Sequence, residues 1–321
     1  MKDKMIWAYF MGVSHHMWTD GNRNSFVRWY MPTDTYEEEN KVDLNTWDET
    51  VKFIAERKYN MLVVDLGDGV LYDSHPEISA PDAWSKDFLK QKLNEARALG
   101  LEVIPKLNFS TAHDTWMKDY RRMISTPAYY KLCSDLIAEV CELFDYPRLF
   151  HVGLDEENEK NQIGHEMIII RGENLYWHDA HFLFNECEKH GARPWVWSDY
   201  YWNFPDQFEK HMPTSVLQSN WYYGTFMDFD KSREEYRAIK TYEDLERLGY
   251  DQIPTCASYK RKQNAYQTVA HGQKHISEEH LLGFMSVPWM PIREEEAIFL
   301  KYDSDQLYRA RQKLYPETLE G

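Results

Sequence analysis

The stretch FHVGLDEE at residues 150–157 joins an apolar run to three consecutive carboxylates. The apolar run is typical of a buried β-strand, which must end where the acids begin. Neighbouring acids repel one another, so their placement together needs a reason. Strand side chains alternate, so Asp155 and Glu156 face opposite sides of the sheet unless the chain turns there. One acid could then face a substrate while the other orients it.

A structural alternative explains the same acids without chemistry. Asp155 and Glu156 could open the next helix, because negative charge is stabilised near the positive end of the helix dipole. The sequence leaves both interpretations open.

Seven more runs rich in β-forming residues recur along the chain. The eight predicted strands cover residues 6–13, 61–66, 101–109, 149–154, 194–197, 216–221, 253–258 and 282–289. Between them lie amphipathic segments with apolar residues at helical spacing, most clearly 126–144. Strands that alternate with helices favour parallel pairing through right-handed crossovers.

The predicted helices also carry start and stop signals. Thr46 and Glu49 form a possible capping box, and Ser85 is placed to cap the helix that ends near residue 100. A Thr-Pro pair opens the segment 126–144, and Gly191 is placed to end the helix before the fifth strand.

Eight strand-helix units in about 300 residues match the count and size of a (β/α)8 TIM barrel. We therefore predict an α/β fold with a single barrel domain over residues 1–321, and regard a doubly wound sheet as the weaker alternative. The long segment 14–45 after the first strand is predicted to be a lid or pocket wall, since most such loops are short. Its acidic tip at 37–39 is expected to be a solvated face.

Composition narrows the possible partners. The 321 residues carry a net charge of −16, which disfavours nucleic acid and anionic membranes. No stretch approaches the roughly 20 apolar residues of a membrane span, and residues 1–4 lead into the first predicted strand rather than into a signal peptide.

The four cysteines show no metal-ligand spacing and fit buried free thiols. Aromatic residues make up 15% of the chain, which suits flat ligands such as sugar rings.

Polar and aromatic side chains follow the predicted strands, at the edge where a barrel of this type holds its active site. The candidate site residues are His15, Asn108, His113, His151, Asp155, Glu156, Trp197, Asp199, Trp221, Tyr222, Tyr223 and Trp289. Aromatic faces stack on sugar rings, carboxylates and amides take the hydroxyls, and an acid can protonate a glycosidic oxygen. The structural alternative for the tryptophans is core packing, and Trp195 shares the parity of Trp197.

The segment 151–156, HVGLDE, resembles the His-x-Gly-Gly-Asp-Glu signature of glycoside hydrolase family 20, the β-N-acetylhexosaminidases. The segment from 103–105 to His113 is similar to the family's strand-three region, where a Pro-containing strand precedes a loop with an active-site histidine. Two departures are present. Leu154 stands where the signature has its second glycine, and Ser14 and His15 stand where the family usually has an arginine.

The resemblance implies a (β/α)8 barrel and a retaining, substrate-assisted mechanism. Glu156 would protonate the leaving oxygen, while the 2-acetamido carbonyl of the substrate attacks the anomeric carbon and Asp155 orients the acetamido group. The aromatic residues after strands five, six and eight would form the pocket walls, and Tyr222 or Tyr223 would bond the acetamido oxygen. The expected partner is an acetamido sugar glycoside, and neither a metal nor a cofactor is required.

Two other functions remain open. The first is a metal-dependent hydrolase or isomerase, with possible ligands His15, His16, Asp65, His113, Asp155 and Asp199. The adjacent histidines do not have the His-x-His spacing that would aim both rings inward. The second is a carbohydrate-binding barrel without catalysis, suggested by the missing arginine and the substituted glycine.

Overall fold

Eight parallel strands form one sheet that curls into a nearly closed barrel, as predicted. The computed structural model describes residues 5–16, 39–163, 165 and 167–319. Most of the predicted lid at 14–45, and most of its acidic tip, lie outside these residues, although Glu39 is described and is exposed.

Seven of the strands are shorter than the apolar runs that predicted them and lie within those runs, whereas the fifth begins one residue earlier than its run. They are β1 Ile6–Gly12, β2 Met61–Asp65, β3 Glu102–Lys106, β4 Leu149–Gly153, β5 Arg193–Trp197, β6 Leu217–Ser219, β7 Thr255–Cys256 and β8 Gly283–Ser286. Their residues are almost all buried, because the barrel interior covers one face and the helices cover the other.

The sheet order is β6-β5-β4-β3-β2-β1-β8-β7, so closure requires contact between β6 and β7. Two isolated bridges supply it, from Gln218 to Gln252 and from Trp221 to Thr255. The amide of Ile253 also donates to the Gln218 carbonyl at 2.9 Å.

Ten α-helices surround the sheet in the described part of the chain. They are α1 Leu44–Glu56, α2 Lys86–Ala98, α3 Pro127–Leu143, α4 Glu159–Gln162, α5 Glu173–Lys189, α6 Tyr200–Asn203, α7 Pro205–His211, α8 Glu234–Arg247, α9 Asn264–His275 and α10 Ala297–Leu314. None of these helices is long and apolar enough to cross a lipid bilayer.

The helix termini confirm three of the four predicted signals. Ser85 caps α2, Thr126 caps α3, and Gly191 follows the end of α5 with a φ of +79°. The capping box at Thr46 is wrong, because α1 begins at Leu44 and Thr46 lies inside its first turn. Asp43 is its N-cap, and the Asp43 carboxylate accepts a hydrogen bond from the Thr46 amide at 2.7 Å. All four cysteines are buried free thiols, as predicted.

Candidate active site

The chain turns sharply where β4 ends, and this turn places both acids on one side. Gly153, Leu154 and Glu156 have φ values of +76°, +69° and +60°, in the left-handed region. The simple alternation of a strand is therefore lost. Nε2 of His113 lies 3.3 Å from the Asp155 carboxylate and 3.2 Å from the Glu156 carboxylate.

Gly153 is required at this turn for a steric reason as well as for its φ angle. A Cβ atom there would lie 1.9 Å from Oδ1 of Asn108, far inside van der Waals contact. The absence of a side chain lets Asn108 reach over the turn to Asp155. Leu154, where the family 20 signature has a second glycine, adopts the same left-handed backbone with its side chain buried.

Asp155 is a buried carboxylate held by fixed partners. Nδ2 of Asn108 donates to Oδ1 of Asp155 at 2.9 Å, and the Ser110 hydroxyl donates to the Asp155 carbonyl. Burial alone would raise the pKa of Asp155, but His113, Lys106 and Asn108 together lower it below its ordinary value. The residue is therefore an ionised acceptor in a fixed orientation.

His113 carries the complementary charge. Burial alone would lower its pKa, but the carboxylates of Asp155 and Glu156 outweigh burial and hold the pKa well above its ordinary value. The imidazole is therefore a cation that lies within contact distance of both acids.

Glu156 is the more accessible of the two acids, with 33% of its side chain exposed. Its amide donates to Oδ2 of Asp199 at 2.7 Å, and the indole of Trp221 donates to Oδ1 of Asp199 at 3.3 Å. Burial and the nearby charge of Asp155 raise the pKa of Asp199 well above its ordinary value. Asp199 thus fixes the backbone of Glu156, while the Glu156 side chain stays partly exposed.

The third acid of the cluster has a structural function. Glu157 forms a buried ion pair with Arg171, whose Nη1 also donates to Asp179 at 2.9 Å. The sequence offered no signal for this pairing, because Arg171 lies 14 residues further along the chain. The alternative in which the acids open the next helix is wrong, since α4 begins at Glu159 with Asn158 as its N-cap.

A layer of charged and aromatic side chains supports the two acids from below. Lys106 and Asp65 form a fully buried ion pair, and Lys106 is paired in register with His151 of β4. Nδ1 of His151 accepts the Gly153 amide at 3.0 Å, and burial together with Lys106 lowers the pKa of His151, which stays neutral. Sequence reasoning missed Lys106, although a lysine within a buried strand is itself an unusual signal.

Four of the predicted aromatic residues gather beside this group. The ring of Trp289 lies 5.9 Å from that of Trp197 and 6.5 Å from that of Tyr223, which stacks on Trp221 at 5.0 Å. Trp197 is almost completely buried against His151, whereas Trp221 and Trp289 are partly exposed. Trp197 therefore lies at the base of the aromatic wall, and Trp221 and Trp289 form its accessible part.

Trp195 and Tyr222 do not join this wall. Nε1 of Trp195 donates to the Ser219 hydroxyl at 2.8 Å inside the barrel. The Tyr222 ring packs on Phe226 and Phe229 instead. Of the two tyrosines that the sequence left as alternatives, Tyr223 lies in the aromatic wall, and its burial, with a smaller contribution from the charge of Asp155, raises its pKa well above the ordinary value.

His15 lies in a polar cluster around Asp68. The His15 amide donates to Asn40 at 3.0 Å, and its ring contacts that of His16. Asp68 accepts hydrogen bonds from Ser14 at 2.6 Å and from Asn40 at 3.3 Å, so it joins the two chain segments that flank residues 17–38.

Lys260 is a candidate site residue that sequence reasoning missed. Lys260 is exposed, and partial desolvation lowers the pKa of its ammonium group while the charge of Glu156 opposes that effect. The residue lies two positions after the seventh predicted strand, and this position at the carboxyl edge was the available signal.

The six possible metal ligands at the barrel mouth do not come together as a three-ligand set in the described residues. Asp65 is paired with Lys106, His16 with Asp68, and His113 with Asp155 and Glu156. Each of these side chains is therefore engaged with a different partner within the protein.

Among the comparisons with known proteins, only solved structures match this chain, and they share its fold. No family model matches the sequence, and no curated protein matches it. Among solved structures, a family 20 chitobiase of Flavobacterium johnsoniae is 15% identical with a TM-score of 0.59, over 89% of this chain and 51% of that one. A β-N-acetylhexosaminidase of Bacteroides fragilis is 14% identical with a TM-score of 0.61, over 98% and 71%.

A family 20 catalytic module of the pneumococcal exo-β-D-N-acetylglucosaminidase is 14% identical with a TM-score of 0.63, over 98% of this chain and 86% of that one. This chain spans about half the length of the Flavobacterium enzyme. At these identities the likeness establishes a shared barrel, and the resemblance to a family 20 catalytic barrel expected from residues 151–156 is confirmed at the level of fold.

Proposed function

We propose that this chain is a glycoside hydrolase that cleaves 2-acetamido sugar glycosides with the help of the substrate's own acetamido group. The observation that carries the proposal is the shared contact of His113 with a buried Asp155 and a partly exposed Glu156. Two adjacent acids with different exposure and different partners suit two different functions in one site.

Glu156 acts first as the acid in this mechanism. Its proton passes to the glycosidic oxygen as the bond from that oxygen to the anomeric carbon breaks. The acetamido carbonyl oxygen attacks the anomeric carbon from the other face, so the intermediate is held by the substrate itself. Water then attacks that carbon, loses its proton to the Glu156 carboxylate and reopens the ring.

Asp155 accepts the acetamido N–H and stabilises the positive charge that develops on the group. Its fixed orientation through Asn108 and its lowered pKa suit this function, because the acceptor stays ionised and does not reorganise during the reaction. The partly exposed faces of Trp221 and Trp289 provide stacking surfaces for the sugar, and Lys260 supplies a cation after the seventh strand.

The test compares purified wild type with Glu156→Gln on an aryl β-N-acetylglucosaminide. We expect kcat to fall by about 10²- to 10⁴-fold, the usual contribution of a general acid, with little change in KM. Glu159→Gln is the matched control, because Glu159 is an exposed glutamate three residues away. The aryl β-glucoside, which has no acetamido group, should not be hydrolysed by the wild type.

The binding of an N-acetylglucosamine-derived thiazoline separates this proposal from recognition without catalysis. The analogue mimics the cyclised intermediate, so Asp155→Asn should weaken its binding more than Glu159→Gln does. Tight thiazoline binding by a wild type that hydrolyses no acetamido glycoside would contradict catalysis and support a carbohydrate-binding barrel. Hydrolysis that survives Glu156→Gln unchanged would refute the assignment of the acid.

A further inference from the structure

A second group of chemically active side chains lies on the outer helical layer. Glu243 of α8 and His271 and His275 of α9 each offer one ligand atom, and these three atoms lie within 4.8 Å of one another. The two helices pack side by side, and the two histidines are four residues apart on one face of α9. No other group of three such ligands occurs in the described part of the chain.

The geometry of the cluster is close to that of a metal site. Nδ1 of His275 lies 3.3 Å from Oε1 of Glu243. Two ligands that are each 2.0–2.1 Å from zinc lie about 3.4 Å apart at tetrahedral geometry. The rings of His271 and His275 are 4.3 Å apart between centroids, so a small side-chain rotation brings the third ligand into place.

His271 provides an independent sign that a ligand is missing. Its Nε2 atom is buried without a hydrogen-bond partner, and its ring is packed against Phe226 and Tyr242. Buried polar atoms in folded proteins are rarely left unsatisfied.

The remaining oxygen of Glu243 is already oriented. Oε2 accepts a hydrogen bond from Lys240 at 2.6 Å, which leaves Oε1 directed at the histidines. Such outer contacts fix a ligand's orientation in metal sites. Glu243 and His275 have 33% and 26% of their side chains exposed, so an ion can enter from solvent.

We propose that Glu243, His271 and His275 bind Zn²⁺ or a similar divalent transition metal, with water in the fourth position. Two imidazoles and one carboxylate are a ligand set that suits zinc. The ion would link α8 to α9 and so fasten two neighbouring helices of the barrel. The three ligands belong to the helices outside the barrel, whereas Asp155 and Glu156 follow the end of β4 inside it, so the site is independent of the proposed hydrolase.

The experiment is a titration of EDTA-treated, full-length protein with ZnSO₄, followed by calorimetry and thermal unfolding. We expect one strong site per chain. At 100 times the dissociation constant, the unfolding midpoint should rise by about 4 °C for a chain of this length. Glu243→Gln and His275→Gln should each weaken binding at least about tenfold, since even outer-shell changes cost that much.

His211→Gln is the matched control, because His211 is paired with Glu173 at 3.2 Å on another part of the surface but belongs to no three-ligand group in the described residues. It should leave the affinity unchanged. Circular dichroism of each variant without metal establishes that the fold is intact. The proposal is overturned if wild type binds no Zn²⁺, or if Glu243→Gln and His275→Gln bind it as tightly as wild type.

Discussion

Replacement of Gly153 by alanine tests the geometry on which the site depends. The new Cβ would lie 1.9 Å from Oδ1, 2.5 Å from Cγ and 2.9 Å from Cα of Asn108. The side-chain amide could move away, but the Asn108 backbone belongs to the segment that follows β3 and cannot. Asn108 also holds Asp155, so the substitution should disturb both the fold and the site.

The loss in free energy of unfolding caused by Gly153→Ala has two parts. An alanine with φ near +76° is strained by about 1–2 kcal/mol. In addition, either the overpacking persists, at about 1–3 kcal/mol, or Asn108 moves and loses its hydrogen bond to a charged acceptor, at about 1.5–3 kcal/mol. Gly191→Ala measures the backbone strain alone, because Gly191 has a φ of +79° and no atom lies within 4 Å of the Cβ that alanine would add there. The difference between the two variants is therefore the second part. Gly153→Ala should therefore destabilise the protein by about 2 kcal/mol more than Gly191→Ala.

The assay is urea unfolding of both variants and of wild type, monitored by tryptophan fluorescence at equal temperature and pH. Similar denaturant slopes are required before the free energies of unfolding are compared. If Gly153→Ala and Gly191→Ala cost the same, the close approach of Asn108 to the turn is refuted. Loss of aryl glycoside turnover in Gly153→Ala but not in Gly191→Ala would tie the same contact to the proposed activity.

Further measurements test the electrostatics and the helix termini. The raised pKa of His113 adds stability below pH 6.5 that is lost as the pH rises through the folded pKa, and the lowered pKa of Asp155 adds stability above pH 3.8 that is lost as the pH falls. The free energy of unfolding of wild type should therefore exceed that of His113→Gln most clearly between pH 3.8 and pH 6.5. A constant difference from pH 3 to 9 would contradict the ion pair. Arg171→Met removes the cation that pairs with the buried carboxylates of Glu157 and Asp179, and it should lower the free energy of unfolding in urea by about 3–5 kcal/mol. Arg148→Met, at an exposed ion pair, should lower it by less than about 1 kcal/mol. Equal losses would refute the role of burial. Ser85→Ala should cost about 1 kcal/mol by the same method, because the Phe88 amide loses its acceptor; no change would contradict the cap.

The strands and the long helices were predictable because their signals are local. A strand buried on both faces is a short continuous apolar run, and eight such runs between amphipathic segments indicate a barrel. The incorrect prediction of the start of α1 also has a local cause. Asp43 and Thr46 are both good caps, and sequence reasoning chose Thr46 for its glutamate partner three residues later, whereas the helix begins after Asp43.

The candidate site was predictable only as a set of positions. The edge of a barrel gathers residues from many strand ends, so Asn108, Asp155 and Trp289 could be named without coordinates. Which side chains meet depends on backbone angles that local propensity does not encode, such as the positive φ values at Leu154 and Glu156. The same limit left Tyr222 and Tyr223 as equal alternatives.

Residue order was enough to establish the kind of fold, the position of the acids after β4 and the aromatic character of the rim, because hydrophobic period and residue type act within a few residues of the chain. Long-range packing was needed to pair Glu157 with Arg171, to join the two acids through His113, and to bring Glu243 to two histidines of α9. These contacts join residues from 14 to more than 40 positions apart, and only the packing of helices and strands sets such distances.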